Sequence, residues 1–226
     1  MSVLMFTADL NSVRDKCILD KATLFLPKYR RAKIRNYRFQ KDRRLSVLTW
    51  VLLRYSLSAF GCTDFEDKIG FSKYGKPFLV ESKDIYFNLS HSNTVAFCAV
   101  SNTEIGCDVE CPSSIDWEEI SRAFFYQSEY NYLINTGGEE GFFKIWTLKE
   151  SFTKLIGRGL YIPLNSFEIK VESEMIYVNY PFDERIYHFY YTKLNGYHYA
   201  CSSLSAFDDK AFIQEVDVCD LVDLKN

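Results

Sequence analysis

The chain has 226 residues, 47% of them hydrophobic and 17% aromatic, with a formal charge of −3. That supplies apolar material for one large or two small packed domains and argues against disorder. The longest apolar runs, Trp50-Val51-Leu52-Leu53 and Val95 to Val100, are far too short to cross a bilayer, which sets a membrane protein aside.

Met1 to Asp9 lacks the basic n-region and cleavage site of an export signal. Seven cysteines, at 17, 62, 98, 107, 111, 201 and 219, form an odd set with no C-x-x-C pair. A reducing compartment is expected, hence a cytoplasmic chain. With only His91, His188 and His198 to join them, a structural zinc site fits poorly, and Cys107 and Cys111 read as packing residues.

Residues 3–8 read as a strand, and 28–38 and 41–59 as helices. Residues 28–44 hold nine basic residues and one acidic, a local +8 against −11 for the rest of the chain. Such asymmetry fits a localised anion site or a solvated basic helix. An acidic remainder and a pI of about 5.7 speak against a nucleic-acid module, whereas a compact, phosphate-rich ligand needs only a few of these charges. Further on, Gly75-Lys76-Pro77 reads as a turn presenting Lys76. Phe87-Asn88-Leu89-Ser90-His91-Ser92 reads as an apolar strand running into a Ser-His-Ser turn, whose short donors suit a phosphate. A lone histidine is more often a hydrogen-bonded turn residue than a ligand contact. Strands at 85–90 and 94–101 are expected to form a hairpin turning near Asn93.

Ile105-Gly106-Cys107-Asp108-Val109-Glu110 reads as a strand, and its alternation puts the Asp108 and Glu110 carboxylates on one side. Helical patterns follow at 116–134 and 141–156. In the second, Glu150 and Lys154 share a face, while Phe142, Ile145, Trp146, Leu148, Phe152 and Leu155 supply buried surface. In isolation, a Glu four residues before a Lys is an ordinary surface pair worth about 0.2–0.5 kcal/mol. If Asp108, Glu110 and Glu150 converge, they offer hard oxygen ligands suited to magnesium. Strands near 166–172, 184–193 and 197–203 complete the chain, the last two turning at Asn195-Gly196. This is a two-lobed α+β organisation, with an N-terminal lobe over 1–103 and a C-terminal lobe over 104–226. The hairpins at Asn93 and Asn195, each following a long helix, hint at internal duplication.

These motifs, in this order and spacing, resemble the 4′-phosphopantetheinyl transferases of the surfactin-synthetase-activating type. The resemblance rests on Gly75-Lys76-Pro77, Phe87 to Ser92, Ile105 to Glu110 and Phe143-Lys144-Ile145-Trp146 through Lys154, and it runs from about residue 20 to 165. It implies two similar α/β lobes related by a pseudo-twofold, each with a small antiparallel sheet and a long helix, and a site between them in a monomer. It implies transfer of phosphopantetheine from coenzyme A to a serine of an acyl or peptidyl carrier protein, leaving 3′,5′-ADP. By the same resemblance, Asp108, Glu110 and Glu150 would hold magnesium, and Glu150 would take the serine proton. Lys154 would meet a diphosphate oxygen, with Lys76, Ser90 and His91 at the nucleotide end. Phe124-Phe125-Tyr126 would contact the carrier protein; the alternative is simple core packing, but adjacent aromatics on a short connection cannot all point inward. The resemblance departs at Asp42: the arginine expected three positions on is Leu45. Arg43 or Arg44 is left to substitute through a register shift, with Arg30, Arg31 and Lys33 as further candidates.

Two other classes fit parts of the pattern. A non-catalytic protein binding coenzyme A or carriers would not need Glu150, and a magnesium-dependent hydrolase of nucleotide diphosphates would turn over coenzyme A without a carrier.

Overall fold

The computed structural model describes residues 3–12, 17–172 and 175–219. The first expected strand forms as β1 (Val3–Asp9), followed by a short helix, α1 (Cys17–Ala22). The basic region folds into α2 (Lys28–Arg35) and α3 (Gln40–Ala59). α2 ends three residues earlier than its pattern suggests, because the Asn36 amide turns back to the carbonyls of Lys33 and Ile34. Two short strands, β2 (Ile69–Phe71) and β3 (Pro77–Leu79), carry the Gly75 turn between them. β4 (Tyr86–Ser92) and β5 (Val95–Ser101) form the expected hairpin.

Ser90-His91-Ser92 is not a turn. These residues pair with Phe97, Ala96 and Val95 inside β4, and the reversal falls on Asn93 and Thr94, where Asn93 accepts a left-handed φ of 53°.

β6 (Ile105–Glu110) follows, then α4 (Trp117–Phe124), α5 (Gln127–Tyr132) and α6 (Gly138–Ile156). The single helix expected over 116–134 is therefore two. Phe125 leaves helical geometry at φ −96°, ψ 160° and sinks its ring into the core. β7 (Glu168–Glu172), β8 (Met175–Asn179), β9 (His188–Leu194), β10 (Tyr197–Ser203) and β11 (Ile213–Glu215) complete the described chain. The β9–β10 hairpin turns at Asn195 and Gly196, both at positive φ, as an Asn-Gly pair between alternating strands requires.

The result, among the described residues, is a mixed α/β fold of six α-helices and several small sheets. One sheet has the order β11-β1-β5-β4, another β6-β10-β9, and β2-β3 and β7-β8 are two-stranded. α3 covers the first sheet through Leu45, Leu48, Leu52 and Leu53, all buried, because its apolar positions recur at helical spacing. α6 covers the second through Phe142, Ile145, Leu148 and Phe152. A third core lies between the two sheets, where Met5, Phe97 and Ala99 meet Ile105, Cys107 and Tyr199. The chain then returns: β11 pairs in parallel with β1, and Val216 and Val218 pack into the first core.

One glycine fixes how α6 lies on its sheet. A Cβ at Gly106 would collide with the Ser151 carbonyl and the Leu155 amide. Only glycine lets β6 and the last turns of α6 approach this closely, which brings Glu150 and Lys154 down onto the strand that carries Asp108 and Glu110.

Candidate active site

β4 and β6 are edge strands of different sheets that run side by side. Side chains spaced two apart on β4 bridge them. Asn88 Oδ1 accepts from the Cys107 amide at 2.9 Å, and Ser90 Oγ donates to Asp108 Oδ1 at 2.7 Å. Ser92 Oγ donates to Glu110 Oε2 at 3.0 Å and accepts from the Cys111 amide at 3.1 Å. The period-two alternation that puts Asp108 and Glu110 on one side of β6 thus matches the same alternation in Ser90 and Ser92.

α6 adds the third wall. Lys154 Nζ donates to Asp108 Oδ1 at 2.6 Å and to Ser90 Oγ at 3.0 Å. Trp146 Nε1 donates to Glu110 Oε1 at 3.2 Å. Burial, the largest single influence, would lower the Lys154 pKa, but Asp108, Cys107 and Glu150 together outweigh it and hold the ammonium above its usual value. Burial, and then the Asp108 charge, push Glu110 up to about 7; the same two causes raise Glu150. Glu110 and Glu150 therefore each feel the Asp108 charge, and a cation added among them would relieve that repulsion. Asp108 Oδ2 is buried and accepts no hydrogen bond from the described residues, so one hard oxygen is left for a ligand.

The basic candidates separate into groups. His91 faces Arg30, Lys33 and Lys154; desolvation, then these positive charges, hold its pKa below the usual value. Arg30 reaches the Ser46 carbonyl at 3.3 Å, lies over the Trp50 ring at 5.1 Å and keeps a buried, unpartnered Nε. Arg43 instead donates to the Tyr37 carbonyl at 2.9 Å. Arg44 lines a separate cavity of about 340 Å³ with Gln40, Lys41 and Thr94. Lys76 donates to the carbonyls of Ile105 and Leu155 at 3.1 and 3.0 Å, tying the Gly75 turn to the start of β6 and the end of α6. Its burial brings its pKa down to about 8.

Beside Glu110 opens a cavity of about 510 Å³, walled by Ser92, Ile115, Ile120, Phe142, Phe143 and Trp146. Behind it, Phe125 stacks on Phe142 at 5.3 Å and 7° and faces Trp146 at 6.3 Å. Of the three adjacent aromatics, only Phe125 points inward; Phe124 and Tyr126 are 53% and 40% exposed. Ser92, Trp146 and Asn88 were not singled out from the sequence as site residues. The signal was there for Ser92, which repeats the spacing of Ser90 as Glu110 repeats that of Asp108.

Comparison with known proteins gives this arrangement a family. A model described as the 4′-phosphopantetheinyl transferase superfamily matches residues 104–202, and one described as 4′-phosphopantetheinyl transferase, N-terminal, matches residues 15–103. The chain is 34% identical over 189 residues to the 4′-phosphopantetheinyl transferase gsp of Aneurinibacillus migulanus, which covers 81% of this chain and 78% of that one. The chain belongs to the 4′-phosphopantetheinyl transferase family. It is also 33% identical over 154 residues to the transferase Sfp of Bacillus subtilis, covering 66% of this chain and 68% of that one. Against the transferase HetI of a Nostoc species it is 34% identical over 139 residues, 57% and 58% of the two chains. Membership makes it an enzyme that transfers phosphopantetheine to carrier proteins, with coenzyme A as the family's substrate. Among the described residues, no helix is long and apolar enough to cross a membrane.

Proposed function

We propose that this 4′-phosphopantetheinyl transferase uses magnesium to move phosphopantetheine from coenzyme A to a carrier-protein serine and releases 3′,5′-ADP. The observation that carries this reading is the meeting of Asp108, Glu110, Glu150 and Lys154 from two elements far apart in sequence. Among the described residues, no three His, Cys, Asp or Glu side chains are gathered tightly enough to hold a metal ion by themselves. The donor set nonetheless fits magnesium, which takes only a few protein carboxylates and keeps waters and substrate phosphates for the rest. Asp108, through its free Oδ2, with Glu110 and Glu150, would hold it. When bound, magnesium neutralises diphosphate charge and orients the phosphoryl group.

The protein's own residues do the rest by position. Glu150, its pKa raised and its carboxylate beside Asp108, takes the proton from the serine hydroxyl. Lys154, anchored on Asp108 and Ser90, meets a diphosphate oxygen and stabilises charge on the leaving 3′,5′-ADP. Ser90, His91, Arg30 and Lys33 face the nucleotide phosphates. Lys76 shapes that end of the site by pinning its turn to Ile105 and Leu155, and Arg43 and Arg44 add positive field from farther away. The apolar cavity beside Glu110 takes the pantetheine arm. Phe124 and Tyr126 present apolar surface to the carrier.

The lobes 1–103 and 104–226 are read as a pseudo-twofold pair, with the β11 segment of the second returning to complete the first sheet. Their support is the meeting of the two family models at residue 103, the matching Asn93 and Asn195 hairpins and a long helix over each sheet. The enzyme is read as a monomer, since one chain supplies every residue of the site, and as cytoplasmic, since its odd set of cysteines suits a reducing compartment.

The test is stoichiometry: 3′,5′-ADP must form in step with modified carrier, and only when the carrier serine is present. Steady turnover of coenzyme A without carrier would point to the hydrolase instead.

A further inference from the structure

Next to Glu150 on α6 stands a lysine with a different task. Lys149 is fully buried, and its ammonium has three acceptors for its three protons: Glu129 Oε2 at 2.9 Å and the carbonyls of Leu164 and Phe167, both at 2.8 Å. It also lies over the Phe167 ring at 4.1 Å. Glu129, almost as buried, accepts from two amides as well, Ile169 at 2.6 Å and Tyr126 at 2.8 Å. A charge pair taken this far from water is expensive to keep, and an apolar pair of similar volume would often serve stability as well or better. A charge pair set in a core of phenylalanines and leucines calls for a task other than packing.

The wiring supplies one. Glu129 fixes the backbone at Tyr126, immediately after Phe124 and Phe125. Lys149 fixes α6 one residue before Glu150. A second path runs beside it, from the Phe125 ring through Phe142 and Trp146 to Glu110. We propose that Glu129 and Lys149 are positioning residues for phosphopantetheine transfer: they set the rotation of α6 that aims Glu150, and lock it to the 124–126 segment.

The inference rests on the transfer reading above. Rotation of a helix by about 10° at a side-chain radius of about 5–6 Å moves a carboxylate by about 1 Å, and a misplacement of that size costs on the order of 100-fold in rate.

The experiment compares the full-length protein with Lys149→Met and Glu129→Gln in carrier modification, with kcat expressed per coenzyme A site counted by calorimetry. A purely structural role lowers the melting temperature and the number of active sites but leaves kcat per site alone. The proposal expects kcat per site to fall by about 10- to 100-fold in both variants, with KM for coenzyme A within about twofold, and partial rescue by Lys149→Arg. Unchanged kcat per site in either folded variant overturns it, as does failure of both variants to fold, which would make the pair a folding determinant only. Wild-type protein that binds coenzyme A but modifies no carrier overturns the transfer reading itself, and the positioning role falls with it.

Discussion

Lys154 Nζ and Asp108 Oδ1 lie 2.6 Å apart although 46 residues separate them in the chain. The Asp108 carboxylate is almost wholly buried and the lysine is partly open to the cleft, with side-chain exposures of 3% and 28%. Lys154→Ala therefore leaves an acid buried without its cation, which should cost about 1–3 kcal/mol of stability. It should lower kcat for transfer more than it weakens coenzyme A binding, because the ammonium acts on charge that develops as the diphosphate leaves. Denaturant melts and calorimetry on the same preparation separate the two effects.

Glu150→Gln should abolish measurable transfer while leaving the fold intact, since no described hydrogen bond depends on that side chain. Circular dichroism and coenzyme A binding measured without magnesium should match wild type, while magnesium affinity falls with the loss of a carboxylate ligand. A variant that transfers at near-normal rates would remove Glu150 as the base.

Glu110 is held by Ser92 and Trp146, and both hydrogen bonds favour its ionised form. Ser92→Ala and Trp146→Phe should each raise the Glu110 pKa further and weaken magnesium affinity by about 10- to 100-fold, the usual effect of losing a hydrogen bond to a ligating carboxylate. Titration of magnesium at saturating coenzyme A reads this directly.

Gly106→Ala should be far more damaging than its size suggests. The new methyl meets backbone atoms of α6, which cannot move aside as a flexible side chain could. Loss of several kcal/mol of stability is expected, in the range of overpacked cores at about 1–3 kcal/mol or above, together with loss of transfer as α6 lifts from β6.

Lys76 provides a pH signature. Its folded pKa of about 8 lies below the usual lysine value of 10.5, so between those values the unfolded chain binds more protons at this group than the folded one. Its contribution to stability therefore rises with pH across that window and falls away again as pH drops through 8. Measured against Lys76→Met, wild type should gain relative stability from pH 8 to pH 10. A constant difference would mean that the ammonium is not desolvated.

Much of this site was legible in the sequence, because alternation in β6 and helical spacing in α6 are local rules. They put Asp108 with Glu110 and Glu150 with Lys154 before any contact was seen. Phe124-Phe125-Tyr126 was partly legible: three adjacent aromatics cannot all turn inward, yet which one does depends on the stack with Phe142 and Trp146. The rest lay in tertiary pairing. β11 joins β1 across some two hundred residues, and three residues carry no periodicity to announce it. Neither Arg43 nor Arg44 could be chosen over Arg30 and Lys33 from charge alone; their places in the fold separate them, with Arg30 and Lys33 near enough to act on His91, Arg43 on the Tyr37 carbonyl and Arg44 at a separate cavity. The structure departs from the Ser90-His91-Ser92 turn because short polar residues, which suit turns, here continue a strand whose hydroxyls bond the carboxylates of β6.

The most direct test is the intact mass of an apo carrier protein after incubation with this enzyme, coenzyme A and magnesium, beside a carrier whose acceptor serine is alanine. The account predicts a gain of one phosphopantetheine on the first carrier and none on the second. No gain on any of several carrier types by protein that still binds coenzyme A would contradict it.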